Sequence, residues 1–375
     1  MKMKLGIICE SHQLHSQRYI RYFVERGHEV HVITPVPPNP VRIDGAVVHG
    51  LHRRLHPSGL LKYANYLQAA CGISRLIRSI RPDLLNVMFL TDYGFWAALS
   101  RFHPLAITPW GSDVLRHPHQ KRFWKLTSAF ALNHCDLLIC NSDCIRSSAL
   151  ETLGAKEEKV RMIVWNGVDT DFFSQRGTAD VRLKLGLNGK RVIFSNRHLE
   201  SNYRVDRIIA MFARLRMAMP ETVLLIAGEG SQREKLQRMC GELHLDSSVV
   251  FIGRVSPEMI RDCLCMCDLY ISVAESDSSA TSVLEAMACG AQLMVSDSAS
   301  NREWITHAEN GWMIQPDDAK TFADLCRQAL HTSLDPDIRL KNIDTVSRKA
   351  SRQANMGALE EAFMTVIRHS GARMQ

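Results

Sequence analysis

Leu269-Tyr-Ile-Ser-Val-Ala-Glu-Ser-Asp-Ser-Ser-Ala-Thr-Ser-Val-Leu-Glu-Ala-Met-Ala-Cys-Gly290 sets an apolar run, a loop of small and acidic residues and a second apolar run in immediate succession. The spacing predicts a strand over Leu269–Val273 and a helix over Thr281–Cys289. The same rhythm runs outward in both directions. Further strands are expected at Val192–Ser195, Val223–Ala227, Val249–Ile252 and Gln292–Ser296, with helices near Asp206–Met217, Gln232–Leu243 and Pro257–Cys265. In the first half, strands are expected at Lys4–Cys9, Glu29–Thr34, Ala46–Leu51, Asp83–Phe89, Leu105–Trp110, Asp136–Asn141 and Arg161–Val164. Helices over Gln17–Arg26, Leu60–Ser79 and Asn141–Leu153 separate them. Alternating β and α in both halves predicts an α/β chain with two parallel sheets, each covered by helices on both faces. Right-handed crossovers then make each half doubly wound.

Length agrees with two domains: 375 residues is about twice the usual domain. The expected division is an N-terminal domain over 1–173, a linker over 174–190, a C-terminal domain over 191–345 and a terminal helix within 346–375 that packs back on the first domain. Hydrophobic content of 46% and charged content of 23% exclude a disordered or fibrous chain. The net charge of +7 has a location. Residues 1–170 hold 21 basic and 13 acidic side chains, against 25 and 26 in the remainder, and 11 of the 16 His. Halves of different charge are expected to meet different partners. No recognition motif accompanies the positive charge, so no nucleic-acid partner is expected.

Two doubly wound domains place their chemistry in loops at the carboxyl ends of the strands, facing a central cleft. In the loop before Thr281, Ser278, Ser279 and Ala280 are small enough to leave backbone N–H groups open to phosphate at a helix N-terminus. Asp277 and Glu285 flank them as acceptors for sugar hydroxyls. Ser282-x-x-Glu285 equally fits a capping box, and the residues alone leave both readings open. Gly228-Glu-Gly230 after Val223–Ala227 either admits a ligand to the backbone or closes a tight turn. Arg197 follows Val192–Ser195, where a guanidinium fork suits a diphosphate.

Several further segments join these: Asn166-Gly-Val-Asp-Thr-Asp-Phe-Phe173, Asp277-x7-Glu285-Ala-Met-Ala-x-Gly290, Ala227-Gly-Glu-Gly230, Phe251-x-Gly253, Trp110-Gly-Ser-Asp113 and Asn301-Arg-Glu-Trp-Ile305. Taken in order, they resemble the retaining glycosyltransferases of family 4. The resemblance implies a GT-B fold of two Rossmann-like domains and a nucleotide-diphosphate sugar as co-substrate. It implies no obligatory cofactor or metal. It implies transfer with retention to a glycan or lipid-linked glycan acceptor in cell-surface polysaccharide or lipopolysaccharide synthesis. On that resemblance Glu285 meets the donor ribose, Asp277 the donor sugar and Arg197 the leaving diphosphate. Gly228, Ser278, Ser279, Ala280 and Thr281 line the phosphates and sugar, and Arg254 and Val255 the base. The sequence also departs from the family pattern. Asp277 stands for the usual Glu, Ser278-Ser279-Ala280 for Gly-Phe-Gly, and Tyr203 for a clamp Lys, with Arg204 as its substitute. These departures motivate a second reading: an inactive relative that binds nucleotide sugar or a protein.

In the first half, His12 and His15 of the loop after the first strand, with Trp110 and Asp113, are the acceptor-side candidates, Asp113 also as a catalytic residue. Helix capping is the alternative for Asp113. Asp169-Thr-Asp171 reads as a turn rather than a metal site. Cys263, Cys265 and Cys267 at i, i+2, i+4 cannot all face one ion and match no zinc spacing. Scattered Cys in apolar settings read as reduced thiols of a cytoplasmic protein. The start, Met1-Lys-Met-Lys4 before Leu5–Cys9, reads as a first buried strand, and no stretch is apolar for long enough to span a membrane. Arg116-His-Pro-His-Gln-Lys121-Arg122-Phe123-Trp124-Lys125 interleaves basic and aromatic residues. It suits an anionic membrane interface, hence a peripheral location on the inner face, and equally a solvated basic helix.

Overall fold

A computed structural model describes residues 1–35, 41–51, 60–175, 179–332 and 334–373. The chain divides into two compact units, Met1–Asn166 with Ala354–Gln375, and Gly167–Gln353. Residues 174–190 lie within the second unit, where Ala179–Lys184 is helical; residues 176–178 are outside the described residues.

The first unit has seven strands: β1 Lys4–Ile8, β2 Glu29–Thr34, β3 Ala46–Gly50, β4 Leu84–Val87, β5 Leu105–Ile107, β6 Leu137–Cys140 and β7 Val160–Met162. Their order is β3-β2-β1-β4-β5-β6-β7, with each pair parallel. The switch between β1 and β4 is where the order reverses. The central strands are buried end to end because helices cover both faces: every residue of β4, β5 and β6 is buried, Asn86 being the polar exception in otherwise apolar runs. One face carries the core around Ile73, Trp96 and Leu138, the other the core around Phe23, Ile139 and Phe363.

The second unit repeats this with β8 Arg191–Ser195, β9 Thr222–Ala227, β10 Val249–Gly253, β11 Leu269–Ser272, β12 Leu293–Ser296 and β13 Trp312–Ile314, ordered β10-β9-β8-β11-β12-β13. The helix Val205–Ala218 buries Val205, Ile208, Ile209, Phe212 and Leu215. That stripe at helical spacing packs it on the sheet. The twelve expected strands are all present, and β13 is an additional one. Three residues, Trp-Met-Ile, give too short a run for the pattern to register. The helix expected over Asn141–Leu153 is also subdivided, into Asp143–Ser147 and a π-turn over Ser148–Thr152.

The C-terminal region is two helices, Pro336–Lys349 and Arg352–Arg373. Between them Ser351 bridges in parallel to Val168. Val168 donates its N–H to Ala350 O at 2.8 Å and takes one from Arg352 at 2.8 Å. The last helix buries Met356, Leu359 and Phe363 in the first unit's core, where Phe363 stacks on Phe23 at 5.8 Å.

A candidate sugar-nucleotide site in the second unit

Three strand ends of the second unit bring their loops together. After β8, Asn196 and Arg197 leave the sheet, and the chain closes a 3-10 turn over Ser201–Tyr203. After β11, Glu275-Ser-Asp277 leads into the helix Thr281–Ala288. Asn202 fastens the two loops: its carbonyl accepts from Glu275 N at 2.8 Å and its amide donates to Ser276 O at 2.9 Å. The β9 loop presses on the first from behind. Gly228 has φ +134°, and a Cβ there would stand 2.5 Å from Arg197 O. A Cβ on Gly230 would collide with the Leu199 carbonyl. Leu199 N donates to Glu229 O at 3.0 Å and Gln232 N to Leu199 O at 2.9 Å. The Gly-x-Gly therefore allows close backbone packing under Arg197, as a tight turn requires.

Arg197 is the centre of this arrangement and only 8% exposed. Its Nη2 donates to Asp277 Oδ2 at 2.5 Å, its Nη1 donates to Ser282 Oγ, and its Cζ lies 4.3 Å from the ring centroid of Tyr203. Its Nε is buried and has no hydrogen-bond partner among the described residues. Burial opposes the charge, but the Asp277 carboxylate and the Tyr270 and Tyr203 side chains more than offset it. The guanidinium is thus held above the ordinary arginine range. Behind it Tyr270 donates to Asn196 Oδ1 at 2.8 Å. Burial pushes that phenol up to about 12, with Arg197 pulling it down and Glu285 and Asp277 adding to the rise.

The helix Thr281–Ala288 starts after Ala280, which has no side-chain cap. Ser282 is its second residue and engages Arg197, so the capping box is out of register. Glu285 is one turn in and buried; Ser278, Ser279 and Ala280 are buried and Thr281 is half-buried. Asp277 Oδ1 accepts from Ser278 N at 3.0 Å, and Trp304 Nε1 donates to Ser279 Oγ at 3.4 Å. Apart from the engaged hydroxyls, this is a helix N-terminus beside a buried cation and two carboxylates. Such a set can hold a phosphorylated, hydroxyl-rich molecule.

Two family models match the sequence: "Glycosyl transferases group 1" over residues 179–346 and "Glycosyl transferase 4-like" over residues 5–142. Among curated relatives, the N-acetyl-alpha-D-glucosaminyl L-malate synthase of Bacillus anthracis is 22% identical over 348 residues, 88% of each chain. A GDP-mannose-dependent alpha-(1-6)-phosphatidylinositol monomannoside mannosyltransferase of Mycolicibacterium smegmatis is 28% identical over 323 residues, covering 80% of this chain and 82% of that one. Among solved structures, Anabaena Alr3699/HepE in complex with UDP-glucose superposes with a TM-score of 0.76, covering 97% of this chain and 100% of that one. At 17% identity, that is a likeness of fold. The chain belongs to the family-4 glycosyltransferases of GT-B fold.

The other sequence candidates of this glycosyltransferase have surroundings of their own. Arg204, at φ +51°, pairs with Asp317, which Arg207 also approaches at 3.3 Å. Arg254 is exposed and Val255 half-buried just beyond β10. In the first unit, Asp113 is fully buried: Oδ2 accepts from Leu90 N at 2.6 Å, and Oδ1 from Trp110 N at 3.0 Å and Gly111 N at 2.8 Å. Burial raises its carboxyl above the usual range while those amides pull it back. It shapes the 110–113 loop and neither caps a helix nor reaches the surface. His15 packs edge-on to Trp110 at 6.1 Å, and Trp110 lies 5.9 Å from Trp165. His12 is exposed, 3.6 Å from Glu10 Oε2. Glu10 also accepts from Tyr93 at 3.3 Å.

The motif reading passed over Asn196, Tyr203 as a ring and Tyr270, and took Ser282 only as a possible cap. A Tyr inside the mostly apolar run Leu269–Val273 was the available signal, since a buried phenol needs a partner. Asp169 caps its turn, accepting from Phe172 N at 3.2 Å and pairing with Arg352 at 2.5 Å. Among the described residues no cluster of His, Cys, Asp or Glu has the arrangement of a metal site, and no helix is long and apolar enough to cross a membrane.

Proposed function

We propose that this glycosyltransferase moves a sugar, with retention, from a nucleotide-diphosphate sugar to a glycan or lipid-linked glycan acceptor in cell-surface polysaccharide or lipopolysaccharide synthesis. The observation that carries the reading is the buried Arg197, fixed by Asp277 and Ser282 at the N-terminus of the helix that carries Glu285. In this reading Glu285 accepts from the donor ribose and Asp277 orients the donor sugar. Arg197 and the amides near Ser279–Thr281 take up the charge that develops on the leaving diphosphate, the main electrostatic demand of the reaction. The sugar C1–oxygen bond to the phosphate breaks as the acceptor oxygen bonds to the same face. The acceptor proton passes to the departing phosphate, so no protein base is needed. The reported complex of HepE with UDP-glucose and the GDP-mannose dependence named for the mycobacterial relative support this donor class.

The first unit is assigned the acceptor, with His12, His15 and Trp110 at its strand ends. The helix Arg122–His134 exposes Phe123 and Leu126 beside Lys121, Arg122 and Lys125. That mixture suits the headgroup layer of an anionic membrane and supports the reading of a peripheral enzyme on its cytoplasmic face. The phosphatidylinositol monomannoside named for the mycobacterial relative is an acceptor of that kind.

The test is release of nucleoside diphosphate from a panel of nucleotide sugars with lipid-extract acceptors. Wild type is expected to release it, and Glu285→Ala to lose release while unfolding at a similar temperature. Donor binding without release across the panel would favour the inactive-relative reading.

A further inference from the structure

We propose that Tyr203 is a positioning residue for the donor diphosphate, its ring holding the Arg197 guanidinium at the point where phosphate arrives. The inference rests on the donor reading above and adds a residue to it. Arg197 and Asp277 form a neutral pair, so the place of the guanidinium matters more than any surplus of charge. Two of its three nitrogens are engaged, by Ser282 and Asp277, and both contacts hold its outer edge. The buried Nε–H has no acceptor among the described residues, which is a costly state unless a ligand oxygen completes it. Tyr203 supplies the remaining restraint: Cζ sits over its ring, 4.3 Å from the centroid, so the guanidinium cannot shift toward that side.

Tyr203 is itself held by backbone. Its N–H donates to Glu200 O at 3.0 Å, and its neighbour Asn202 is bonded to the Glu275–Ser276 segment at 2.8 and 2.9 Å. The left-handed Arg204 then turns the chain into the helix Val205–Ala218. The ring, the guanidinium and the Asp277 loop are thus one laced assembly. A lysine at this position would bring a second cation. The tyrosine brings rigidity instead, so diphosphate binding should depend weakly on ionic strength.

Titration calorimetry of Y203L, Y203F and Y203K with UDP and GDP, and with uridine and guanosine as controls, tests this. Y203L should lose affinity for the diphosphate by roughly tenfold, the scale of a desolvated cation–π contact, and leave nucleoside affinity unchanged. Y203F should recover most of the loss, and Y203K should bind with a steeper salt dependence than wild type. Equal diphosphate affinity in Y203L, a loss in Y203F as large as in Y203L, or a parallel loss of nucleoside affinity would each overturn the proposal. Wild type that bound neither nucleotide would overturn the donor reading instead. The ligand-free protein then decides the role of Tyr203. The Arg197 Hε resonance should carry a ring-current shift that Y203L abolishes and Y203F keeps; an Hε unmoved in Y203L would overturn it.

Discussion

Asp113 and Glu285 are both buried carboxylates, one in the short helix Ser112–Leu115 and the other one turn into the helix Thr281–Ala288, and their surroundings differ. The oxygens of Asp113 are occupied by three backbone amides from Leu90, Trp110 and Gly111. Replacing one oxygen by an NH2 group turns an acceptor toward a donor. Asp113→Asn is therefore expected to lower unfolding stability by roughly 2–3 kcal/mol, read by urea denaturation, with activity falling in step. The sequence offered capping or chemistry for this Asp; its own helix takes no side-chain cap, and its oxygens meet the three amides instead. Its partners include Leu90, brought from another strand end, which local spacing does not reveal. At Gly228 the clash is with backbone. Gly228→Ala is expected to displace the Arg197 carbonyl, weakening donor binding and stability together by calorimetry and thermal unfolding. An alanine that left both unchanged would remove the close-packing role of this loop.

At the scale of elements, the last helix is clasped to the first unit by one carboxylate. Glu360 Oε2 accepts from Tyr22 at 3.0 Å and Arg26 Nε at 3.2 Å, while Oε1 lies 2.9 Å from His28 Nε2. Met3 N donates to His28 Nδ1 at 3.1 Å, which leaves the ring proton on Nε2 to donate to Glu360. Burial works to raise the Glu360 carboxyl. The bonds from His28 and Tyr22, with the charge of Arg26, outweigh it, and the group is held below its ordinary range. Its stabilisation is thus present above the unfolded value of about 4.3 and fades as pH falls through the lower folded value. Glu360→Ala should cost roughly 2 kcal/mol at neutral pH and flatten the acid limb of stability against pH, measured by denaturant titration. Elements with sustained periodicity were legible: every expected strand formed, as did helices such as Leu60–Ile80 and Val205–Ala218. What escaped depended on distant contacts. β13 is three residues paired to β12, and the break at 350–351 exists because Val168 bonds there.

For the whole molecule, the sequence placed its basic excess in the first 170 residues, and the structure exposes part of it beside Phe123 and Leu126. With each basic side chain near an anionic surface worth about 1 kcal/mol, neutralising Lys121, Arg122 and Lys125 to Gln should cut binding to phosphatidylserine vesicles by roughly a hundredfold at low salt. Nucleotide affinity should not change. Equal sedimentation of the triple variant with vesicles would count against a membrane role for this face. The candidate site of the second unit was legible because its motif joins one strand, one loop and one helix in sequence. The candidates in the first unit were less so, because they come from loops far apart in the chain.

The most direct measurement is the thermal unfolding of wild type, Arg197→Ala and Glu285→Ala across UDP-, GDP- and ADP-sugars. At about 100 times its dissociation constant, the true donor should stabilise wild type by roughly 2.7 kcal/mol. Both variants should lose most of that gain. No response to any nucleotide sugar, or an undiminished response in Arg197→Ala, would contradict a donor site built on Arg197.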